Sequence, residues 1–529
     1  MYFYSNLIDI PNREVFPACM EVENGIIKSI SKVDGVFNDY ILPGFIDAHV
    51  HIESSLLVPS EFARMAVIHG TVATVSDPHE IANVCGMQGI RFMIENGNQV
   101  PFHFFFGAPA CVPATVFETA GATLNASDID KLLAEPDILY LAEMMNFPGV
   151  LFNEEEVMAK IASGKKHNKP IDGHSPGLRG AQAKQYIDAG ISTDHECFTL
   201  EEAVDKINCG MKVLIREGSA ARNFDALIPL MTEHSDRLMF CSDDKHADSL
   251  FVGHINQLVA RAVALGYDLF NILKVACLNP VIHYKLPVGT LNVGDAADFI
   301  ITRDLKNFVI DETYIKGKQV LEKGRSLIES VKIPIINKFN ITKKNVADFN
   351  FEPKEFEQVI ECLDGQLITN KLIRARAELT LENDILKIVV VNRYNEVPIA
   401  VSFIKNFGLK RGAMASSVAH DSHNIIAVGI NDKEISNAVN LVIEHKGGLS
   451  AVDGSVKNVL PLPVAGLMSD KDAWQVAADY TRLHNFSVNV LGSTLLAPFM
   501  SLSFMALLVI PHLKLSDKGL FDGDKFGLV

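Results

Sequence analysis

The stretch PGFIDAHVHIESS, from Pro43 to Ser55, carries the strongest indication of the fold. It begins as an apolar run after a turn signal, which is typical of a strand buried on both faces. Side chains two residues apart on a strand point to the same face, so His49 and His51 point the same way. Two imidazoles at a buried strand end are costly unless another group uses their lone pairs. The question is whether the rest of the chain supplies further metal ligands.

Similar runs follow along the chain, separated by segments in which apolar residues recur at helical spacing. Two such segments, PSEFARMAVIHG and LEEAVDKINCG, end on a Gly, which commonly terminates a helix. Repeated βα units with near-continuous apolar strands are typical of a (β/α)8 barrel. A doubly wound sheet is the alternative, but it would concentrate polar residues at one switch point, whereas nearly every run here ends in them. The eight runs are GFIDAHVHI, GTVATVSDPHE, FHFFFGAPA, ILYLAEMM, KPIDGHSP, GISTDHE, KVLIREGSA and RLMFCSDD.

The remaining sequence predicts two further domains around a barrel that spans residues 43–285. EVENGIIKSISKVDG alternates like a hairpin, with Asn-Gly and Asp-Gly turns, and a similar pattern returns in PVGTLNVGDAADFIITRDL. We therefore expect residues 1–42 and 286–335 to form one small composite β-sandwich. Residues 340–529 are expected to form an additional C-terminal α/β domain, with strands in LKIVVVNRY and NIIAVGIND and a helix in DKEISNAVNLVIEHKGG.

One uncharged stretch, LGSTLLAPFMSLSFMALLVIP from Leu491 to Pro511, is long enough to span a bilayer. It is interrupted by Pro498, contains serines and has no flanking basic anchors. We therefore predict buried strands and a helix of the C-terminal domain rather than a membrane segment.

Composition narrows the class of partner. The chain has 529 residues and a net charge of −16, from 48 Lys and Arg against 64 Asp and Glu. Because no basic cluster is present, a nucleic acid is not an expected partner and a small neutral substrate is favoured. Eight cysteines are scattered singly and no secretion leader is visible, so we expect a cytoplasmic protein.

Polar side chains at the ends of the apolar runs predict a metal site, because active sites of these barrels lie at the carboxyl ends of the strands. A single His there is more often a hydrogen-bonded core residue than a ligand, but four histidines and two carboxylates on one rim favour ligation. Imidazoles with carboxylates suit Mn, Fe or Zn, and a carboxylate between two ions would bridge them. The polar residues of the rim are His49, His51, Asp77, His79, Glu80, Glu143, His174, His195, Glu217 and Asp243.

Taken together, these motifs resemble the bacterial adenine deaminase family of the amidohydrolase superfamily. The resemblance covers PGFIDAHVHIESS, SDPHEIANVCG, LAEMMNFPGV, DGHSPGL, REGSAARN and CSDDKH, and in the C-terminal domain ASSVAHDSHNIIAVG and LPLPVAGLMSD. Many superfamily members carry a carbamylated Lys at strand four, whereas this chain offers Glu143, as that family does. The resemblance implies metal ligation by His49, His51, Glu143, His174, His195 and Asp243.

The resemblance also implies the reaction and its cofactors. Two divalent ions, Mn or Fe with Zn as an alternative, would generate a hydroxide that attacks C6 of adenine, giving hypoxanthine and ammonia in purine salvage. Asp243 is the expected proton carrier, with Glu143 bridging the ions. Glu80, Glu217 or Asp244 would reach a ring nitrogen or orient a ligand, and Arg179 and Ser219 are further candidates for the purine edge. The protein is expected to form a homo-oligomer, as a dimer.

The motif AHDSHN in the C-terminal domain crowds polar groups before an apolar strand. It is either a hydrogen-bonded turn or a lid in which His420, Asp421 and His423 cover the barrel mouth. Two other functions stay open at this point. One is another amidohydrolase activity, such as cyclic amide hydrolysis or N-acetyl-sugar deacetylation, and the other is a catalytically dead barrel that serves as a scaffold.

Overall fold

The N-terminal strands of the computed structural model, which describes residues 1–529, form half of an eight-stranded sheet. Asn24 and Gly25 join two of these strands with φ of 53° and 79°, which is the conformation that Asn-Gly hairpin turns adopt. The hairpin expected in this region is therefore present. The strands are β1 (Tyr2–Asp9), β2 (Glu14–Glu23), β3 (Ile26–Lys32) and β4 (Tyr40–Pro43).

Eight parallel strands follow, and each of the eight predicted runs contains one of them. They form a curled sheet in two hydrogen-bonded parts, of five and three strands, and a parallel bridge between Val50 and Asp243 joins the first strand to the last. The strands are β5 (Phe45–Val50), β6 (Thr71–Ser76), β7 (His103–Ala108), β8 (Ile138–Met144), β9 (Ile171–Gly173), β10 (Thr193–Asp194), β11 (Lys212–Arg216) and β12 (Leu238–Cys241).

Helices connect these strands, and their ends follow the sequence signals. Pro59 opens the first helix at its N-terminus, and Gly70, with φ of 77°, stands before the next strand. Thr199 caps another helix by accepting a hydrogen bond from the backbone of Glu202. The helices are α1 (Pro59–Ala66), α2 (His79–Cys85), α3 (Met87–Gly97), α4 (Ala126–Leu133), α5 (Phe147–Leu151), α6 (Glu155–Lys166), α7 (Gly180–Asp188), α8 (Leu200–Asn208), α9 (Phe224–Leu227), α10 (Met231–His234), α11 (Ala247–Val252), α12 (Ile255–Ala264), α13 (Leu269–Leu273) and α14 (Asn279–Tyr284).

The chain then returns to the N-terminal sheet. Strands β13 (Phe299–Thr302), β14 (Ile310–Ile315), β15 (Lys318–Glu322) and β16 (Arg325–Ser326) complete the order β16-β15-β14-β13-β4-β1-β2-β3. Both flanks of the curled sheet thus contribute to one β-layer. The domain limits of 1–42 with 286–335, 43–285 and 340–529 remain predictions.

The C-terminal region is built on a second eight-stranded sheet, in the order β18-β17-β20-β19-β22-β21-β23-β24, and a three-stranded one. Its strands are β17 (Phe356–Cys362), β18 (Thr369–Ala375), β19 (Ile385–Val391), β20 (Ala400–Lys405), β21 (Ala413–Ser416), β22 (Ile425–Gly429), β23 (Gly448–Asp453), β24 (Val456–Pro461), β25 (Leu513–Ser516), β26 (Gly519–Asp522) and β27 (Gly527–Leu528). Its helices are α15 (Asp432–Glu444), α16 (Ala473–Asn489) and α17 (Pro498–Phe504).

The stretch Leu491–Pro511 differs in part from its prediction. It contains the helix α17 but no strand, because Pro498 starts a helix and the remainder runs as turns until β25 begins at Leu513. The strands predicted there were wrong. Across the whole chain, no helix combines the length and the apolar character that a membrane crossing requires.

One apolar core joins the curled sheet to the C-terminal region. A single cluster of 104 buried residues includes Val50 and Leu141 from the curled sheet together with Ile404 and Leu507 from the C-terminal region. The C-terminal region is therefore packed against the rim of the curled sheet, where the polar strand ends lie.

Candidate metal centre and active site

The structure brings together all six residues that the sequence suggested as metal ligands. Each lies in or within two residues of a strand of the curled sheet, at its carboxyl end, and each is almost fully buried. The six are His49 in β5, His51 just after it, Glu143 in β8, His174 after β9, His195 after β10 and Asp243 after β12.

The carboxylate of Glu143 lies between two pairs of imidazoles. Its Oε1 is 3.2 Å from Nε2 of His51 and 4.0 Å from Nε2 of His49. Its Oε2 is 2.8 Å from Nδ1 of His174 and 3.4 Å from Nε2 of His195. One oxygen faces each pair, which is the arrangement that a carboxylate bridging two ions needs.

Asp243 completes the pair formed by His49 and His51. Its Oδ1 lies 3.2 Å from Nε2 of His51 and 3.7 Å from Nε2 of His49. The residue has φ of 53°, in the left-handed region that Asp tolerates better than most residues. Its backbone N–H donates to the carbonyl of His49 over 2.9 Å, which fixes the strand end that presents the carboxylate.

These donors fit divalent metal ions. Burial, followed by the neighbouring His195 and His51, holds the pKa of His49 well below its usual range, so this imidazole is neutral and has a lone pair to offer. Nε2 of His174 is buried without a hydrogen-bond partner. The structure therefore contains a buried His, Asp and Glu cluster that could bind metal.

Arg216 and Glu196 belong to the site, although sequence reasoning missed both. Arg216 is buried at the end of β11, donates to Oδ2 of Asp243 over 2.5 Å and also pairs with Glu196. Burial alone would raise the pKa of Asp243, but Arg216, His51 and His195 together outweigh it and hold the pKa well below its usual range. An Arg closing the apolar run KVLIRE was the available signal.

A second cluster forms where the AHDSHN loop meets the rim. Nδ1 of His420 lies 2.7 Å from Oε1 of Glu80, and Nε2 of His423 contacts Oε2 of the same carboxylate. Burial works to raise the pKa of Glu80, yet His420, His423 and His79 together hold it well below its usual range. The loop suggested as a lid therefore contacts the rim directly.

Asp244 also faces this loop. Its Oδ1 accepts a hydrogen bond from the hydroxyl of Ser54 over 2.5 Å, and its Oδ2 lies 3.4 Å from Nε2 of His420. Asp244 lines the central cavity beside Asp243.

Three residues suggested for the purine edge do not line the cavity. Arg179 is half-exposed and pairs with Asp205. Glu217 pairs with Arg261 over 2.7 Å, because it follows Arg216 and neighbouring strand residues point to opposite sides. Ser219 contacts Ser249 and supports the loop after β12 by accepting from the backbone N–H of His246.

The cavity over the cluster is closed by the C-terminal region. The enclosed space is about 20 Å³, which is enough for about one water molecule. Lys514, whose pKa burial lowers to about 7, donates to the carbonyls of Leu367 over 2.6 Å and Phe504 over 2.9 Å, and so fixes two segments of the wall. The lining residues are His51, His79, Glu143, Met145, His174, His195, Glu196, Arg216, Asp243, Asp244, Leu367, His420, Asp421 and Leu507.

Comparisons with known proteins agree with this arrangement. Residues 40–320 match the amidohydrolase family, which is metal-dependent, and residues 366–527 match the adenine deaminase C-terminal domain. The match to the former spans the curled sheet and all six clustered residues.

Curated relatives match over the whole length. The adenine deaminase of Borreliella burgdorferi is 52% identical, with 99% of this chain and 98% of that protein covered. That of Sulfurovum sp. is 54% identical, with 100% of this chain and 99% of that protein covered. A solved β-aspartyl dipeptidase from Fervidobacterium islandicum is 14% identical, with a TM-score of 0.47, and covers 62% of this chain and 98% of its own. The extent and level of the identity to the curated relatives show that this chain belongs to the adenine deaminase family.

Proposed function

We propose that this chain hydrolyses adenine to hypoxanthine and ammonia in a closed (β/α)8 barrel with two divalent ions, Mn or Fe, or alternatively Zn. Curated relatives named adenine deaminase, at about half identity over the whole chain, support the activity. The observation that supports the two-ion centre is the position of Glu143, with one oxygen toward each pair of imidazoles. A cyclic amide hydrolase with a carbamylated Lys is disfavoured, because β8 offers a Glu at this place.

The six clustered residues would divide between the two ions. His49 and His51 face one oxygen of Glu143 and lie beside Oδ1 of Asp243, whereas His174 and His195 face the other oxygen. When bound, the ions supply Lewis acidity and lower the pKa of water toward neutrality. Neutral imidazoles and carboxylates are ligands that Mn, Fe and Zn share.

Asp243 is the group that moves the proton. Arg216 helps to keep its carboxylate ionised and holds Oδ2, so the carboxylate is fixed beside the clustered imidazoles, where it can accept a proton from the attacking water. Delivery of that proton to the departing amino nitrogen releases ammonia and regenerates the carboxylate. The balance is adenine plus water giving hypoxanthine plus ammonia.

The remaining walls suit a flat base. Met145, Leu367 and Leu507 offer apolar surface, and Asp244 offers a carboxylate that could pair with a purine nitrogen. Glu80 is engaged by His420 and His423, so we assign it to orientation of the loop rather than to the base. The loop with His420, Asp421 and His423 acts as the lid that excludes water.

The function is tested by ammonia release from adenine, adenosine, cytosine and guanine with Mn-loaded enzyme. We expect kcat/KM for adenosine at least about 10³-fold below that for adenine, because a ribose on N9 would bring its hydroxyls into a site covered by the C-terminal region, where buried polar groups left unpaired together cost several kcal/mol. A kcat/KM for adenosine similar to that for adenine would contradict the free-base specificity. Hydrolysis of a cyclic amide or an N-acetyl sugar in place of adenine would contradict the function.

We also propose that the enzyme works in the cytoplasm as a homodimer. All eight cysteines are free, which supports a reducing compartment. Light scattering of the purified protein tests the dimer.

A further inference from the structure

We propose that His79, Glu80 and Asp421 hold a further divalent cation beside the two-ion centre. The three side chains meet where the start of α2 faces the AHDSHN loop. This cation would bind the rim of the curled sheet to the C-terminal region. It is separate from the six residues assigned above, none of which it uses.

The first observation is the carboxylate of Asp421. The residue is completely buried, and neither of its carboxylate oxygens has a hydrogen-bond partner. An ionised carboxylate taken out of water without donors is strongly disfavoured, so a buried Asp of this kind needs a cation. Asp421 lines the cavity, and its Oδ1 faces His79, which lies across the contact between the C-terminal region and the rim of the curled sheet.

The second observation is the spacing of the donor atoms. Nε2 of His79 is 3.4 Å from Oδ1 of Asp421 and 3.8 Å from Oε2 of Glu80, and the three atoms all lie within 4.8 Å of one another. The longer separation exceeds that of a hydrogen bond. Ligand atoms about 2.1 Å from a common ion are spaced by about 3 to 4 Å, so one ion can contact all three.

The third observation is that neighbouring side chains position two of the donors, His79 and Glu80. Nδ1 of His79 lies 3.2 Å from Oδ2 of Asp77, and Nε2, which has no hydrogen-bond partner, faces Oδ1 of Asp421. Metal-binding histidines commonly direct their other ring nitrogen to a carboxylate in this way. His420 and His423 hold Glu80 from the far side. An imidazole that gives up its proton to the ion, together with two carboxylates, suits Mn, Fe or Zn.

Metal analysis distinguishes this site from the two-ion centre. Enzyme produced with Mn²⁺ and freed of loose metal by gel filtration should contain three Mn per chain, and the Asp421→Asn variant should contain two. The control is Asp517→Asn, another buried Asp of the C-terminal region, whose oxygens accept from the backbone of Thr119 and the amide of Asn392. It should retain three. Two Mn in the wild type would overturn the proposal and would mean that a protonated His79 neutralises Asp421.

Anomalous diffraction at the Mn edge locates the ions without any variant. We expect a peak between His79, Glu80 and Asp421, apart from two peaks that flank Glu143. The first peak without the other two would support this inference and contradict the two-ion centre, whereas two peaks flanking Glu143 alone would overturn the inference and leave the proposed function standing. The measurement keeps the proposal testable even where Asp421→Asn fails to fold.

Discussion

Replacing Glu143 with Gln should lower kcat for adenine by about 10³-fold, which corresponds to about 4 kcal/mol of lost transition-state stabilisation. Gln has nearly the same shape, but it is neutral and replaces one oxygen with an N–H donor. One of the two imidazole pairs, His49 with His51 or His174 with His195, would then face a donor instead of a carboxylate oxygen. The fold should persist, because the side chain keeps its volume.

The measurement combines kcat with metal content and thermal stability. Glu155→Gln, an exposed residue in the first turn of α6, is the matched control and should keep wild-type kcat and metal content. The Glu143→Gln variant should lose at least one ion per chain. Near-normal turnover with unchanged metal content would show that another residue bridges the ions.

Replacing Arg216 with Met should lower kcat by about 10²-fold or more, because Asp243 loses the cation that helps to keep its carboxylate ionised and in place. The change also leaves Asp243 and Glu196 as buried carboxylates without that partner, which should cost about 3–5 kcal/mol of folding stability. Arg216 holds the pKa of Asp243 down, so its removal raises that pKa. A larger fraction of Asp243 is then protonated at low pH. In a plot of kcat against pH, the fall in kcat at low pH should therefore begin at a higher pH.

Arg216→Lys separates this electrostatic effect from loss of fold. Lysine keeps the positive charge but cannot pair with two carboxylates through a planar fork, so we expect an intermediate kcat and a smaller displacement of the fall in kcat at low pH. Circular dichroism checks that both variants are folded. An unchanged fall in kcat at low pH in a folded Arg216→Met variant would show that Arg216 does not set the protonation of Asp243.

The sequence was most informative where local pattern and burial coincide. Each apolar run became a strand of the curled sheet, because strands that are buried on both faces must be apolar along their length. His49 and His51 converge because strand periodicity alone decides their direction. The apolar runs therefore predicted where each strand ends, and with it most of the polar side chains at the rim of the curled sheet.

Long-range contacts were beyond the sequence. Nothing near Asp421 in the chain indicates that it meets His79, since the contact depends on how two distant regions pack. Glu217 was chosen on residue type, whereas strand alternation turns its neighbour Arg216 inward. In Leu491–Pro511, apolar composition predicted strands as well as a helix, and the helix is present, but turns are buried where strands were predicted.

The core that joins the curled sheet to the C-terminal region has a consequence for how the protein unfolds and for which of its parts can be exchanged between relatives. Because 104 buried residues from both regions form one cluster, neither region retains a complete apolar interior without the other. The whole chain should unfold in one cooperative step, and the two regions cannot be exchanged between relatives as independent modules. A core substitution far from the rim, such as one at Ile404, would then disturb catalysis by loosening the wall that carries Leu367 and Leu507.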